Sequence, residues 1–475
     1  MTQAEALNAF PLLAQIPFES ERQFAATLHQ GDGGSMVFVK GALERLLPMC
    51  TQMATPQGNA PLHAGGVEGQ ALALAASGYR VLAVAAGLLP FNPDGEFSEQ
   101  HLQDLTMLGL VGMLDPLRPE AKAAVVACRQ AGMSVAMVTG DHPLTALTIA
   151  RDLELAASPD EVVTGPELKK AEQSGDAALD ALTARARVFA RVEPQQKLRI
   201  VQSLIRHGHF VAVTGDGAND APALRAAHVG VAMGKSGTDV ARASAELIIT
   251  DDHFASIVSG VEEGRVAYRN VRKVIFLLVS TGAAEIVLFA LALLAGLPLP
   301  LLAVQLLWLN LVTNGIQDVA LGFEPDEGDE MKLPPRPPWE PIFNRLMVER
   351  LLISAVVIGG MAFGLYDQLL AQGVEPAEAR NSVMLLMVLF ENMHVLNSRS
   401  ERRSIFRHNL WRHPFLLFGT LAAQLLHIGA MYTPTLSDVL HIQPVSLTHW
   451  LTLLGLSLTI LVVMEIHKAV RRAWS

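Results

Sequence analysis

The sequence predicts an α/β head over residues 1 to about 273, followed by an all-α membrane domain of about six helices over 274–475. Three observations predict it. Apolar runs of about 18 or more residues, long enough to cross a bilayer, occur only after Lys273. Before that point, short apolar strands alternate with helical patterns of ten or more residues, which argues for a parallel sheet with crossover helices. Two of those strands run into Thr-Gly-Asp, at 139–141 and 214–216.

Residues 1–103 contain the strand-like runs Met36–Val39 and Arg80–Ala85, with loops at Gly31–Gly34 and Pro90–Gly95. Over 104–273, Leu108–Met113 reads as a buried strand, Glu120–Ala131 as a helix and Ser134–Val138 as a strand. Helices follow at Pro143–Leu153 and Gln195–His207, and strands at Phe210–Val213, Val229–Ala232 and Leu247–Ile249.

The expected spans are Val274–Leu297, Leu299–Phe323, Leu346–Leu369, Ser382–Leu396, Pro414–Tyr432 and Leu447–Val470. Buried core helices are the alternative reading. Basic clusters at Arg265–Lys273, Lys332–Arg350, Arg399–Arg412 and Lys468–Arg472 alternate with loops that carry Glu375, Glu378 and Asp438. The positive-inside rule then expects a multi-pass protein of the plasma (inner) membrane, with an even number of spans and both termini cytoplasmic. No signal-peptide pattern is present. Cys50 and Cys128 form no disulfide framework or metal motif. The net charge of −10 bears on solubility of the head, and no nucleic-acid partner is expected.

Ligands bind beyond the carboxyl ends of strands in open parallel sheets, and glycine lets backbone approach phosphate. Thr139 can donate to a phosphoryl oxygen, and Lys197 supplies a cation. Asp216 and Asp220, with Asn219 between them, offer hard oxygen ligands for Mg²⁺. Ordinary turn chemistry would also explain a lone TGD; TGDGANDAPAL at 214–224 is far more specific.

In this order the motifs resemble the haloacid dehalogenase-like phosphorylation domain of P-type cation-transporting ATPases, type II, over almost the whole chain. Asp115-Pro116-Leu117-Arg118-Pro119-Glu120 looks like the DPxR hinge segment, and Phe189–Pro194 matches FARVxP. The resemblance implies Asp216 as the Mg²⁺ ligand, Asp220 beside it, and Thr139–Asp141, Lys197, Asn219 and Asp220 around the phosphoryl group. It also implies ATP as cofactor. Pro17-Phe18-Glu19-Ser20-Glu21-Arg22 looks like PFxSxRK, whose Phe stacks on adenine, with Gln23 in place of Lys. Lys40-Gly41-Ala42-Leu43-Glu44 resembles KGAPE, and Arg80 fits a phosphate-contacting Arg, so residues 1–103 are expected to be the end of the nucleotide-binding domain.

The family's nucleophile lies in DKTGT, and no DKTG occurs in these 475 residues. In-line phosphoryl transfer needs a nucleophile as well as charge stabilisation. The expectation is therefore a C-terminal portion with an incomplete phosphorylation domain, inactive alone, and short of the strand that would cover two neighbouring sheet edges. It would be one half of a split pump completed by an N-terminal half chain, or part of a longer protein. A phosphohydrolase of the same superfamily and a non-catalytic nucleotide-binding membrane protein are the other readings.

Charged groups inside spans are costly and functional by default. Glu285, then Asn310, Thr313, Asn314, Gln317 and Asp318, then Glu391 and Asn392 place oxygen donors on three helices. Interhelical hydrogen bonding is the plainer alternative. By resemblance to the calcium pumps, Glu285, Asn310, Thr313 and Glu391 fall on ion-binding positions. Asn314 stands where those pumps carry an Asp, and Gly282 where they carry Asn. Asp318, one turn on, is expected to compensate in part. The transported cation is expected to be Ca²⁺ or, with one carboxylate fewer, a monovalent ion.

Overall fold

The computed structural model describes residues 9–19, 21–31, 34–89, 97–113, 117–401, 403–407 and 410–474. Ser20, Asp115, Pro116, Arg402 and the loop Pro90–Gly95 of the sequence reading lie outside the described residues. The chain divides into two compact units between residues 258 and 259.

In the first unit, seven strands form one sheet: β1 (Leu12–Ile16), β2 (Phe24–Gly31), β3 (Gly34–Gly41), β4 (Cys50–Thr55), β5 (Gly58–Pro61), β6 (Arg80–Leu89) and β7 (Leu105–Met113), in the order β1-β2-β3-β6-β7-β4-β5. All pairs are antiparallel except β4 with β7. Strand alternation puts Phe24, Ala26 and Leu28, Val37 and Val39, and Ala83 and Ala85 into one core, closed by Leu46, Leu102 and Leu105.

This corrects one expectation. The run Leu108–Met113 is not a buried strand of a parallel sheet: it pairs antiparallel with β6, and Leu108, Val111 and Met113 are exposed. Leu105 and Met107 of the strand are buried in the core, and Leu110 packs against it partly buried. An apolar run signals a strand but not its partner.

The parallel part forms two three-stranded sheets. One has β8 (Met137–Val138), β9 (Val162–Thr164) and β10 (Val188–Ala190) in the order β8-β10-β9. The other has β11 (Ala212–Gly215), β12 (Val229–Met233) and β13 (Leu247–Ile249) in sequence order. Helices α1 (Pro119–Gln130), α2 (Pro143–Asp152) and α3 (Pro194–Arg206), of which α2 crosses between strands of one sheet, carry Pro in the first turn, where no N–H is needed. Glu193 N–H donates to Gln196 Oε1 at 3.0 Å, closing the start of α3. Both strands that run into Thr-Gly-Asp, β8 and β11, are outer strands paired on one side only. The strand expected from Phe210 begins at Ala212, and Phe210 is exposed.

The second unit is helical. Among the described residues four stretches are long and apolar enough to cross a membrane: α4 (Phe254–Leu294), α7 (Arg345–Ala371), α9 (Pro414–Tyr432) and Leu447–Ala473. The expected span Leu299–Phe323 is a series, α5 (Ala303–Trp308), a π-turn at Leu309–Thr313 and α6 (Asn314–Gly322). The expected span Ser382–Leu396 lies inside α8 (Pro376–Ser398), which is buried without interruption from Ser382 to Asn392. Such a helix is surrounded by the others, which is why its apolar residues show no single face.

Candidate functional site

The first phosphate-type loop follows β8. Thr139 Oγ1 donates to Asp141 Oδ2 at 2.9 Å and accepts the Asp141 N–H at 3.1 Å. The loop is tied to the segment after β10: Thr139 N–H donates to Phe189 O, Val192 N–H to Thr139 O and Arg191 N–H to Asp141 O. Arg191, held at φ 52, points its guanidinium at Glu44, 2.7 Å away. Burial would raise the Glu44 pKa, but a backbone hydrogen bond and Arg191 together hold it below the usual range. A Cβ at Gly140 would meet nothing within 4 Å, so packing does not demand glycine there.

The second loop follows β11. Asp220 is buried; its Oδ2 accepts the N–H groups of Asp216 (3.3 Å) and Gly217 (3.1 Å), and its Oδ1 accepts Lys197 Nζ at 2.6 Å. A Cβ at Gly215 would stand 2.6 Å from Asp220 Cβ, so glycine is what lets this carboxylate fold under the loop. Asp216 and Asn219 are exposed. Asp220 is thus committed to shaping the loop and holding Lys197. Asp216 is the free carboxylate at the strand end, and Mg²⁺ takes one or two carboxylates, phosphate oxygens and water. The donor set fits that ion with Asp216 as the protein ligand. Among the described residues no hydrogen bond or ion pair joins 139–141 to 216–220.

The sequence reading gave Asp252 no role of its own. At φ 61 it accepts the N–H groups of Lys235 (2.9 Å) and Ser236 (2.7 Å). The Lys235 hydrogen bond leads in lowering its pKa to about 2. Arg118, of the expected hinge segment, bonds the Asp252 carbonyl, and Glu120 meets His253 at 3.0 Å.

Strand register gathers the expected nucleotide residues. Ala25 lies opposite Lys40, and Gly41 opposite Ala83, so the start of β2, Lys40 and Arg80 share one end of the seven-stranded sheet. Phe18 is 59% exposed, Lys40 is exposed, and Arg80 Nε stands 3.9 Å from Asp141 Oδ1. Arg80 thus brings this end of the sheet to the first loop.

In the second unit, Asn310 Nδ2 donates to both Glu285 oxygens, at 3.0 and 3.2 Å. Thr313 Oγ1 donates to Glu391 Oε2 at 2.5 Å, and Asn314 Nδ2 to Thr281 Oγ1 at 3.2 Å. Gln317 Nε2 donates to Asn392 Oδ1 at 2.6 Å, and Asn392 Nδ2 to Gln424 Oε1 at 2.7 Å. Among the candidate ion-path residues, four buried oxygens keep no hydrogen-bond partner among the described residues, Asn314 Oδ1, Gln317 Oε1, Asp318 Oδ1 and Glu391 Oε1; Tyr268 Oη and Asn270 Oδ1 on α4 and Asn397 Oδ1 on α8 are left in the same way. Buried acceptors are rarely left so, and interhelical hydrogen bonding alone does not account for them.

Three family models match the chain: "P-type ATPase, cytoplasmic domain N" over residues 2–120, "haloacid dehalogenase-like hydrolase" over 87–228, and "Cation transporting ATPase, C-terminus" over 298–470. The chain belongs to the P-type ATPases. It is 38% identical over 463 residues to the probable cation-transporting ATPase F of Mycobacterium tuberculosis, covering 96% of this chain and 51% of that one. It is 36% identical to the calcium-transporting ATPase of Bacillus subtilis (94% and 50% covered) and 34% to the mouse calcium-transporting ATPase type 2C member 2 (96% and 47%). The chain spans about half the length of the curated relatives it matches.

For this P-type ATPase chain, the sequence reading missed Thr281, Gln424 and Arg191 beside the residues it named. Thr281 and Gln424 are single polar residues in apolar helices, a weak signal taken one at a time. Arg191 was seen only as part of a motif; its positive φ and its ion pair with Glu44 are tertiary facts.

Proposed function

We propose that these residues form the ATP pocket, the phosphoryl and magnesium site and part of the cation path of an ATP-driven cation pump. The observation that carries it is the set of oxygen donors contributed by α4, the α5–α6 series and α8, with Asn310 exposed and Glu285 half-buried but four of the oxygens buried and without partners among the described residues. In the head, Phe18 would stack on adenine while Lys40 and Arg80 meet the phosphates. Thr139 and Lys197 would stabilise the transferred phosphoryl group, and Asn219 and Asp220 would hold the loop that presents Asp216 to Mg²⁺. The ion supplies charge neutralisation when bound.

The cation is Ca²⁺ on this reading, since relatives are named calcium-transporting. The amide of Asn314, in place of a carboxylate, lowers the charge of the site and keeps a monovalent ion as the competing outcome. Six spans, with the α5–α6 series and α8 as the second and fourth, would put both termini on the cytoplasmic side of the plasma membrane. The 475 residues hold no DKTG aspartate, so this polypeptide by itself is expected to form no phosphoenzyme. The test is co-reconstitution in vesicles with a polypeptide that supplies the DKTGT segment, read as ATP-driven uptake of ⁴⁵Ca²⁺, ²²Na⁺ and ⁸⁶Rb⁺. Phosphoenzyme formation without uptake of any cation would refute the pump reading.

A further inference from the structure

The first unit holds a cavity of about 460 Å³ that no residue of either Thr-Gly-Asp loop lines. Arg129 and Arg151 line it, with Glu154 and Glu161 beside them and Leu155 and Ala156 as an apolar wall. Arg129 lies in the last turn of α1 and Arg151 in the last turn of α2. α2 starts just after the first loop and has 10 residues, so the cavity lies at the far end of that helix, about 15 Å along its axis from the loop.

The walls are tied in place. Arg129 Nη1 donates to Glu154 O at 2.5 Å, and Arg151 Nε to Ala157 O at 3.3 Å. Glu161 Oε2 accepts the N–H groups of Ala157 at 2.8 Å and Ser158 at 3.1 Å. These bonds, that from Ala157 leading, hold the Glu161 pKa below the usual range, so the group is an ionised acceptor at neutral pH. Glu154 Oε1 meets Lys122 at 3.0 Å.

The carboxylates and the guanidiniums differ in what they lack. Glu154 is compensated by an ammonium and Glu161 by two N–H groups. Each guanidinium spends one N–H on a neutral carbonyl, and neither has a carboxylate at ion-pair distance among the described residues. Basic residues at helix C-termini are commonplace, because they meet the partial negative charge there. What is particular is that two of them line one cavity. Their remaining N–H donors form planar forks that match carboxylate or phosphate, and water would satisfy the donors without supplying the countercharge. A dianionic oxyanion supplies it.

Size and lining narrow the ligand. The volume lies within the range of small-molecule sites, about 300–1,000 Å³, and exceeds what a bare phosphate ion fills. The space beyond the arginines faces two carboxylates, which repel a second acidic group and accept hydrogen bonds from hydroxyls.

We propose that this cavity binds a phosphorylated polyol of the sugar-phosphate class, with Arg129 and Arg151 on the phosphate and Glu154 and Glu161 accepting hydrogen bonds from the hydroxyls. A ligand there braces the end of the helix that starts at the first loop. The site goes beyond the ATP and cation readings and does not rest on them.

The test uses the full 475-residue chain in detergent, with a non-hydrolysable ATP analogue present to fill the expected nucleotide pocket. Glucose 6-phosphate is the probe, and glucose and inorganic phosphate are the comparisons. Phenylglyoxal modification of individual arginines, read by mass spectrometry, needs no variant. Glucose 6-phosphate should slow modification of Arg129 and Arg151 by about fivefold or more and leave the exposed Arg199 unchanged. Glucose should give no protection, and inorganic phosphate should need a concentration about tenfold higher. Arg151→Gln should weaken glucose 6-phosphate binding by about tenfold or more in equilibrium dialysis, with the thermal melt of the wild type. No binding, or binding that leaves Arg129 and Arg151 unprotected, would overturn the site. Protection by inorganic phosphate at the same concentration would overturn the polyol assignment. None of these results bears on the pump reading, which its own uptake assay tests.

Discussion

Thr313→Val removes one hydroxyl from the second unit and nothing of its shape. Thr313 is fully buried, and its Oγ1 donates to Glu391 Oε2 at 2.5 Å. A hydrogen bond to a charged group contributes about 1.5–3 kcal/mol. It favours the ionised carboxylate, the form that meets a cation, far more than the neutral acid. At 1.36 kcal/mol for each factor of ten, the loss corresponds to cation binding weakened by about 10- to 150-fold. Thr313 Oγ1 also lies 2.8 Å from Leu309 O within the π-turn, so its single proton is shared between two acceptors and some loss of thermal stability should accompany the substitution. Thr313→Ser keeps the hydroxyl and is the control. Equilibrium ⁴⁵Ca²⁺ binding to the detergent-solubilised chain, with a thermal melt alongside, separates the two effects. Binding by Thr313→Val within twofold of wild type, while Glu391→Gln is impaired, would refute the reasoning. So would a Thr313→Ser variant as poor as the valine.

Glu324, buried, takes Arg399 at 2.8 Å and His413 at 2.9 Å, so Glu324→Gln leaves a buried guanidinium without its carboxylate. The expected loss is about 3–5 kcal/mol in an SDS-unfolding titration, and a loss under about 1 kcal/mol would contradict it. Gly237→Ala would drive a Cβ to 1.9 Å from Met233 O, whereas Gly140→Ala meets nothing. The first should lose about 1–3 kcal/mol and the second under about 1 kcal/mol by pulse proteolysis. Asp252, with its pKa lowered to about 2, contributes stability above the ordinary value near ~3.9 that is lost as pH falls through about 2. Exchange protection of the Lys235 and Ser236 amides should therefore decline between about pH 4 and pH 2 in wild type; in Asp252→Asn it should be low and flat across that range. Burial pushes the Cys50 thiol up to about 11, so alkylation at neutral pH should be slow until the chain is unfolded.

Much of this protein was legible in order along the chain. The strand-to-loop motifs at 139–141 and 214–220 and the apolar runs after Lys273 depend on local spacing, and local spacing is what a sequence displays. So do Glu285, Glu391 and the polar residues of 310–318, because a charged group in an apolar helix stands out by its cost. Pairing is different. Which sheet β7 joins, and that β8 and β11 are outer strands, depend on contacts between residues far apart in sequence. The assignment of Asp220 to Lys197 and the loop amides, the π-turn at Leu309–Thr313, and the place of the lone Gln424 on α9 are of the same kind. Composition and periodicity determined the kinds of element and the chemistry available to them. Only tertiary structure decided which oxygens are spent on neighbouring groups and which are left to meet an ion, because a hydrogen bond is satisfied by position in space.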